Sequence, residues 1–141
     1  MTSKHTILYA EDDLDDLMMV RQAFEPHDHI EVLHAANGLE TLQRLHELNE
    51  KNLQPCLVIL DINMPKMDGR ETLEEMKKNE KFKHIPVVMF STSSSHQDKQ
   101  FAQLWGVELI TKPLHYGDLE YIAKQFIDRC NFEFSRLSSN L

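Results

Sequence analysis

Five side chains far apart in the chain share one local context. Glu11 and Asp12 follow the apolar run Thr6–Ala10, Asp61 follows Leu57–Leu60, Ser91 follows Val87–Phe90, and Lys112 stands just after Val107–Ile110. In an open parallel sheet, ligands bind beyond the carboxyl ends of the strands. If these runs are strands, three acids, one hydroxyl and one amine converge on a single rim.

The acids cannot sit together unaided. Two carboxylates about 4 Å apart repel by roughly 4 kcal/mol at an effective dielectric of about 20. Three of them either keep a proton or hold a cation, and oxygen-only ligands select a hard divalent ion such as Mg²⁺. Asp61 and Asp12 are expected as direct ligands, Glu11 as a ligand or a water-bridged acid, and the Asn63 backbone carbonyl as a further oxygen. Lys112 can pair with Asp61 and later with a transferred phosphoryl oxygen, while Ser91 can hydrogen-bond another. The chemistry that suits this set is phosphoryl transfer onto the Asp61 carboxylate, which needs positioning and charge neutralisation rather than a general base. The donor would be a labile one such as phosphohistidine.

These residues must be positioned by alternating elements. After Asp13, Leu14, Leu17, Met18, Val20 and Phe24 mark a helix that Pro26 ends. Ile30–His34 reads as a second strand, and Asn37-Gly38 opens a helix through Leu39, Leu42, Leu45 and Leu48. A polar loop runs to Pro55. Leu57–Leu60 and Val87–Phe90 are continuous apolar runs, as strands buried on both faces show. A helix follows Pro65 and Gly69 through Leu73 and Met76. Ser93, Ser94 and Ser95 offer N-caps for the next, through Phe101 and Leu104, with Gly106 as its stop. Leu119, Ile122, Ala123, Phe126, Ile127 and Cys130 mark a last helix. The sum is an α/β (βα)₅ chain with a parallel sheet covered on both faces. One domain over 1–130 and a tail over 131–141 are expected, with no separate output domain.

The bulk numbers narrow the class. A length of 141 residues with 41% hydrophobic and 27% charged side chains suits one soluble domain. The formal charge of −8 argues against nucleic acid, which needs clustered Lys and Arg. Lys77, Lys78, Lys81 and Lys83 lie among glutamates and read as a solvated helix end. Ile7–Ala10 is too short for a signal core or a membrane span. Cys56 and Cys130 fit neither a disulfide framework nor a metal spacing, so reduced thiols in the cytoplasm are expected.

The segments ILYAEDD (Ile7–Asp13), LVILDINMPKMDG (Leu57–Gly69), PVVMFSTS (Pro86–Ser93) and ITKP (Ile110–Pro113) resemble, in this order, the signature blocks of response-regulator receiver domains. The resemblance covers roughly residues 5 to 130, and its D-x-N-M-P-x-M-D-G block is highly specific. It implies a flavodoxin-like sheet of strand order 2-1-3-4-5. It also implies Asp61 as the phosphoacceptor, Glu11 and Asp12 as the Mg²⁺ acid pair, Ser91 as the switch hydroxyl, Lys112 as the phosphoryl-contacting lysine, and a cis bond before Pro113. A sensor histidine kinase or histidine phosphotransfer protein would be the donor, and an unknown protein the downstream target. The Asp-rich start of the first helix and the polar loop before strand three resemble small stand-alone receivers that serve phytochrome-type kinases. One position departs from the family pattern. Leu109 stands three residues before Lys112, where receivers usually carry Tyr or Phe. The aromatic half of the usual switch is therefore missing, and phosphorylation would act through the loop after Ser91 and its helix, or on dimerisation. A homodimer through strand five and its flanking helices is expected.

Plainer readings compete at several positions. Asp13, Asp15 and Asp16 read as acids favoured by a helix N-terminus, and Asp68 as a turn residue before Gly69. Ser91 lacks the GxSxG elbow of a hydrolase. The eight histidines show no ligand spacing, although His5 and His34 are expected to be partly buried. Trp105 reads as a helix-end packing residue. A phosphorylation-independent docking module is the rival function. A flavin carrier is disfavoured because acids occupy the place of its phosphate loop.

Overall fold

Five apolar runs pair as the strands β1 (His5–Ala10), β2 (Ile30–Ala35), β3 (Leu57–Leu60), β4 (Val87–Ser91) and β5 (Glu108–Thr111). They form one parallel sheet in the order β2-β1-β3-β4-β5, as expected. Helices α1 (Leu14–Phe24), α2 (Gly38–Glu50), α3 (Gly69–Lys78) and α4 (His96–Leu104) make the crossovers, and α5 (Leu119–Ile127) follows β5. This computed structural model describes residues 4–92, 95–113 and 117–132. Ser93, Ser94 and most of the expected tail lie outside the described residues.

Period-2 alternation divides the core. Ile7, Tyr9, Ile59 and Phe90 face α1 and α5, meeting Leu17, Val20, Ile122 and Phe126. Leu8, Val58, Leu60 and Met89 face the other side, meeting Leu45 of α2, Leu73 and Met76 of α3 and Phe101 of α4. Leu109 pairs with Met89 and packs on this second side. Local chemistry sets the helix ends. Asp13, Asn37, Asp68, Ser95 and Asp118 accept first-turn N–H bonds, and Asp68 with Glu71 forms a reciprocal capping box. Gly106 adopts φ +69° just after α4, the stop its position suggested. Arg70 at the start of α3 donates to Asp98 of α4, with its guanidinium over the Phe101 ring.

Two expectations need correction here. The apolar residues of α1 do not all turn inward: Leu14 is 67% and Met18 58% exposed, while Leu17, Met19, Val20, Ala23 and Phe24 are buried. The two cysteines are not free thiols, because Cys56 and Cys130 form a disulfide with Cα atoms 4.7 Å apart. Each helix runs back against its strands, so the end of α5 reaches the amino-terminal end of the sheet, where β3 begins. There the Asn131 N–H donates to the Cys56 carbonyl at 3.0 Å. A separation of 74 residues hides this proximity from any local pattern.

Candidate functional site

Glu11 is the next odd position after Ile7 and Tyr9, so it points toward α1 and α5 and is wholly buried. The Tyr9 hydroxyl donates to Glu11 Oε1 at 2.7 Å, and His34 Nε2 lies 2.6 Å from the Glu11 carbonyl oxygen. Asp61, also buried, leaves β3 with its N–H on the Ala10 carbonyl at 3.1 Å, and its Oδ1 accepts the Asn63 N–H at 3.4 Å. Ser91 ends β4, buried, and its carbonyl accepts the Lys112 N–H at 2.9 Å. That bond aims Lys112 across the rim. Its Nζ donates to Glu11 Oε1 at 2.6 Å, Asp16 Oδ2 at 2.8 Å and Asp61 Oδ2 at 3.2 Å.

Asp12 is exposed beside this network, and one carboxylate oxygen each of Glu11, Asp12 and Asp61 lies within 4.8 Å of the others. Three acids thus bond one ammonium, with Asp12 beside two of them. Burial pushes the Glu11 carboxyl up to about 7, helped by its hydrogen bond with Asp61, while Lys112 and Tyr9 pull it back. Burial alone would lower Lys112, but its bonds to Asp16 and Glu11 and the charge of Asp61 hold it above its ordinary range. Burial first, then the Glu11 charge, raises the Tyr9 phenol, so it stays a donor. An excess of carboxylate oxygens at this spacing, two of the three groups buried, suits a hard divalent ion. The residues present fit that group.

The response regulator receiver domain family matches residues 7–124. The chain belongs to the response-regulator receiver family. This receiver is 36% identical over 123 residues to the regulatory protein FilR2 of Methanothrix harundinacea, covering 84% of this chain and 79% of that protein. It is 38% identical over 96 residues to the response regulator Rcp1 of Synechocystis, covering 65% of each. The chain therefore spans just under two thirds of Rcp1 in that match. The Mn²⁺-bound structure of Rcp1 superposes with a TM-score of 0.77 at 30% identity over 94% of this chain and 96% of that one. The phosphorylated cyanobacterial phytochrome response regulator RcpA gives a TM-score of 0.80 at 31% identity, covering 89% and 93%.

Within this receiver, Glu11, Asp12, Asp61 and Lys112 meet as expected, and Ser91 and Asn63 stand on the same rim. One implication of the resemblance does not hold. No peptide bond among the described residues is cis, so the Lys112–Pro113 bond is trans. An X–Pro bond favours trans by about 0.5–1 kcal/mol, and Lys112 reaches its carboxylates without the other isomer. Asp16, which reads from the sequence as a helix-end acid, bonds Lys112. Its signal lies in the helical period, since Asp16 is four residues before buried Val20 and shares its face. Tyr9 carries no such signal, because a tyrosine in an apolar strand reads as core until its hydroxyl is given a partner.

Gly69 closes the site from behind. Its N–H donates to the Ile62 carbonyl at 2.9 Å, and a Cβ there would stand 2.2 Å from the Asp61 carbonyl oxygen and 2.9 Å from Ile62 Cα. Backbone cannot yield as a side-chain end can. Gly69→Ala is expected to cost about 3 kcal/mol or more in urea unfolding and to slow any reaction at Asp61.

Glu11 also makes stability depend on pH. Its proton is held more tightly in the fold, at about 7, than at the ordinary value of 4.5. The resulting stability is fully present below 4.5 and is lost as pH rises through 7, by roughly 3 kcal/mol. With a chelator present, the urea midpoint is expected to fall by about 1 M between about pH 4.5 and about pH 7.5. Glu11→Gln should flatten that change.

Proposed function

We propose that this receiver accepts a phosphoryl group on Asp61 from a phosphohistidine of a sensor kinase or histidine phosphotransfer protein. The single observation that carries the reading is the Lys112 ammonium 3.2 Å from the Asp61 carboxylate, inside a cluster of acids that a divalent cation would relieve. An Asp61 oxygen attacks phosphorus, the bond to the donor nitrogen breaks, and that nitrogen keeps the electron pair and takes a proton. Glu11, Asp12, Asp61 and the Asn63 carbonyl would hold Mg²⁺, which neutralises charge on the phosphoryl oxygens. Lys112 then pairs with one phosphoryl oxygen and Ser91 hydrogen-bonds another.

On this reading the chain is a signalling acceptor rather than a turnover enzyme, working in the cytoplasm, with residues 1–130 as the receiver and 131–141 as a tail. The likeness to RcpA, a phytochrome response regulator, supports a phytochrome-type kinase as donor. Exposed Leu104 and Tyr121, on the helices flanking β5, support a homodimer there, and sedimentation showing a monomer with and without phosphorylation would rule it out.

Acetyl phosphate with Mg²⁺ tests the central claim by intact mass. One phosphoryl mass, removed by hydroxylamine and absent with chelator, is the expected result. An unchanged mass would favour the docking module.

A further inference from the structure

We propose that Cys56 and Cys130 form a thiol–disulfide exchange site, where a low-molecular-weight disulfide of the glutathione type reversibly ties the end of α5 to the start of β3. The site stands apart from the phosphoryl chemistry. Cys56 lies five residues before Asp61 along an extended strand, about 16 Å away. Its role is to fix the segment that leaves α5.

The two cysteines are unequal in access. Cys56 is wholly buried and Cys130 is half-buried, so an incoming disulfide meets Cys130 first. The Cys130 thiolate attacks one sulfur of the reagent, forming a mixed disulfide and releasing one thiolate. The Cys56 thiolate then attacks the Cys130 sulfur and releases the second. Two protons and two electrons leave the protein, and one reagent disulfide becomes two thiols. The Cα separation of 4.7 Å in the closed pair lies within the range that bridged cysteines adopt.

Neither element depends on the cross-link for its place. The Cys56 N–H bonds the Thr6 carbonyl at 2.8 Å and the Cys130 N–H bonds the Ile127 carbonyl at 3.0 Å. Ile122, Ala123 and Phe126 anchor α5 in the core on their own. Both redox states can therefore fold, as a reversible site requires. The difference falls on the next residues. The Asn131 N–H reaches the Cys56 carbonyl, and the Phe132 ring packs 4.7 Å from that of His5. Closing the pair pins that bond between its own two half-cystines. In the reducing compartment proposed above the pair would be open at rest and close under oxidation; only this resting state rests on that reading.

The full 141-residue chain is equilibrated in mixtures of reduced and oxidised glutathione, quenched with N-ethylmaleimide and weighed intact. Two maleimides at the reducing end and none at the oxidising end, in one reversible step without retained glutathione, are expected. The Asn131 amide should exchange with deuterium at least tenfold more slowly in the oxidised form. In Cys130→Ser that rate should ignore glutathione, while phosphoryl uptake from acetyl phosphate stays at the parent level. Two maleimides throughout, none throughout, a stable glutathione adduct, a cross-linked dimer, or equal Asn131 exchange would each overturn the proposal. Loss of phosphoryl uptake in parent and variant alike would count against the Asp61 reading and leave the exchange result standing.

Discussion

Asp61→Asn is expected to take up no phosphoryl group from acetyl phosphate, a loss of at least about 10³-fold, and yet to unfold at higher urea than the parent when chelator is present. The first effect is chemical. An amide oxygen is a poor nucleophile, and the other acids that bond Lys112, Glu11 and Asp16, lie on β1's end and α1 rather than at the end of β3 beside β4. The second effect follows from the charge count. Glu11, Asp16 and Asp61 share a single ammonium, and Asp12 lies close to Glu11 and Asp61. A pair of carboxylates about 4 Å apart costs roughly 4 kcal/mol at an effective dielectric of about 20. Removing one charge relieves that repulsion, while Lys112 keeps its two shorter contacts, to Glu11 and Asp16. A gain of about 1–2 kcal/mol in urea unfolding at about pH 7.5 is expected. Intact mass and a denaturation curve on one sample measure both. An Asp61→Asn variant that still gains a phosphoryl mass would move the acceptor elsewhere.

Lys112→Met should act in the opposite sense on stability. Its loss leaves buried Glu11 and Asp61, and half-buried Asp16, without a counter-charge, and breaking such a buried set typically costs about 3–5 kcal/mol. The penalty should shrink near pH 5, where Glu11 holds its proton, and shrink again with millimolar Mg²⁺. Without the ammonium, the same rim should bind Mg²⁺ at least tenfold more tightly by calorimetry, since a repelling cation is gone. Equal stability at both pH values would show that Lys112 does not balance the acids.

Much of this is legible in the residues. The strand ends are marked by apolar runs stopping at Glu11, Asp61 and Ser91, and the topological rule then brings those residues together. What stays hidden depends on contacts between distant segments. Asp16 and Asp15 look alike in the sequence, and only the helical face separates the one that meets Lys112 from the one that meets solvent. Leu14 and Met18 look like core until α1 is rotated to bury Leu17, Val20 and Phe24. The pairing of Cys56 with Cys130 needs the whole sheet in place, since only the return of α5 along it juxtaposes them. The bond before Pro113 is a choice between two isomers close in energy, and a shared motif does not dictate it.

The crowd of carboxylates about one ammonium has a practical consequence. Whatever binds the rim of the native state and cancels its charge, a proton on Glu11 or a divalent ion, also tightens the whole molecule, because ligands of the native state alone raise its stability. A melting curve of the unlabelled protein therefore serves as a binding assay, in which the transition temperature gauges what the rim is holding.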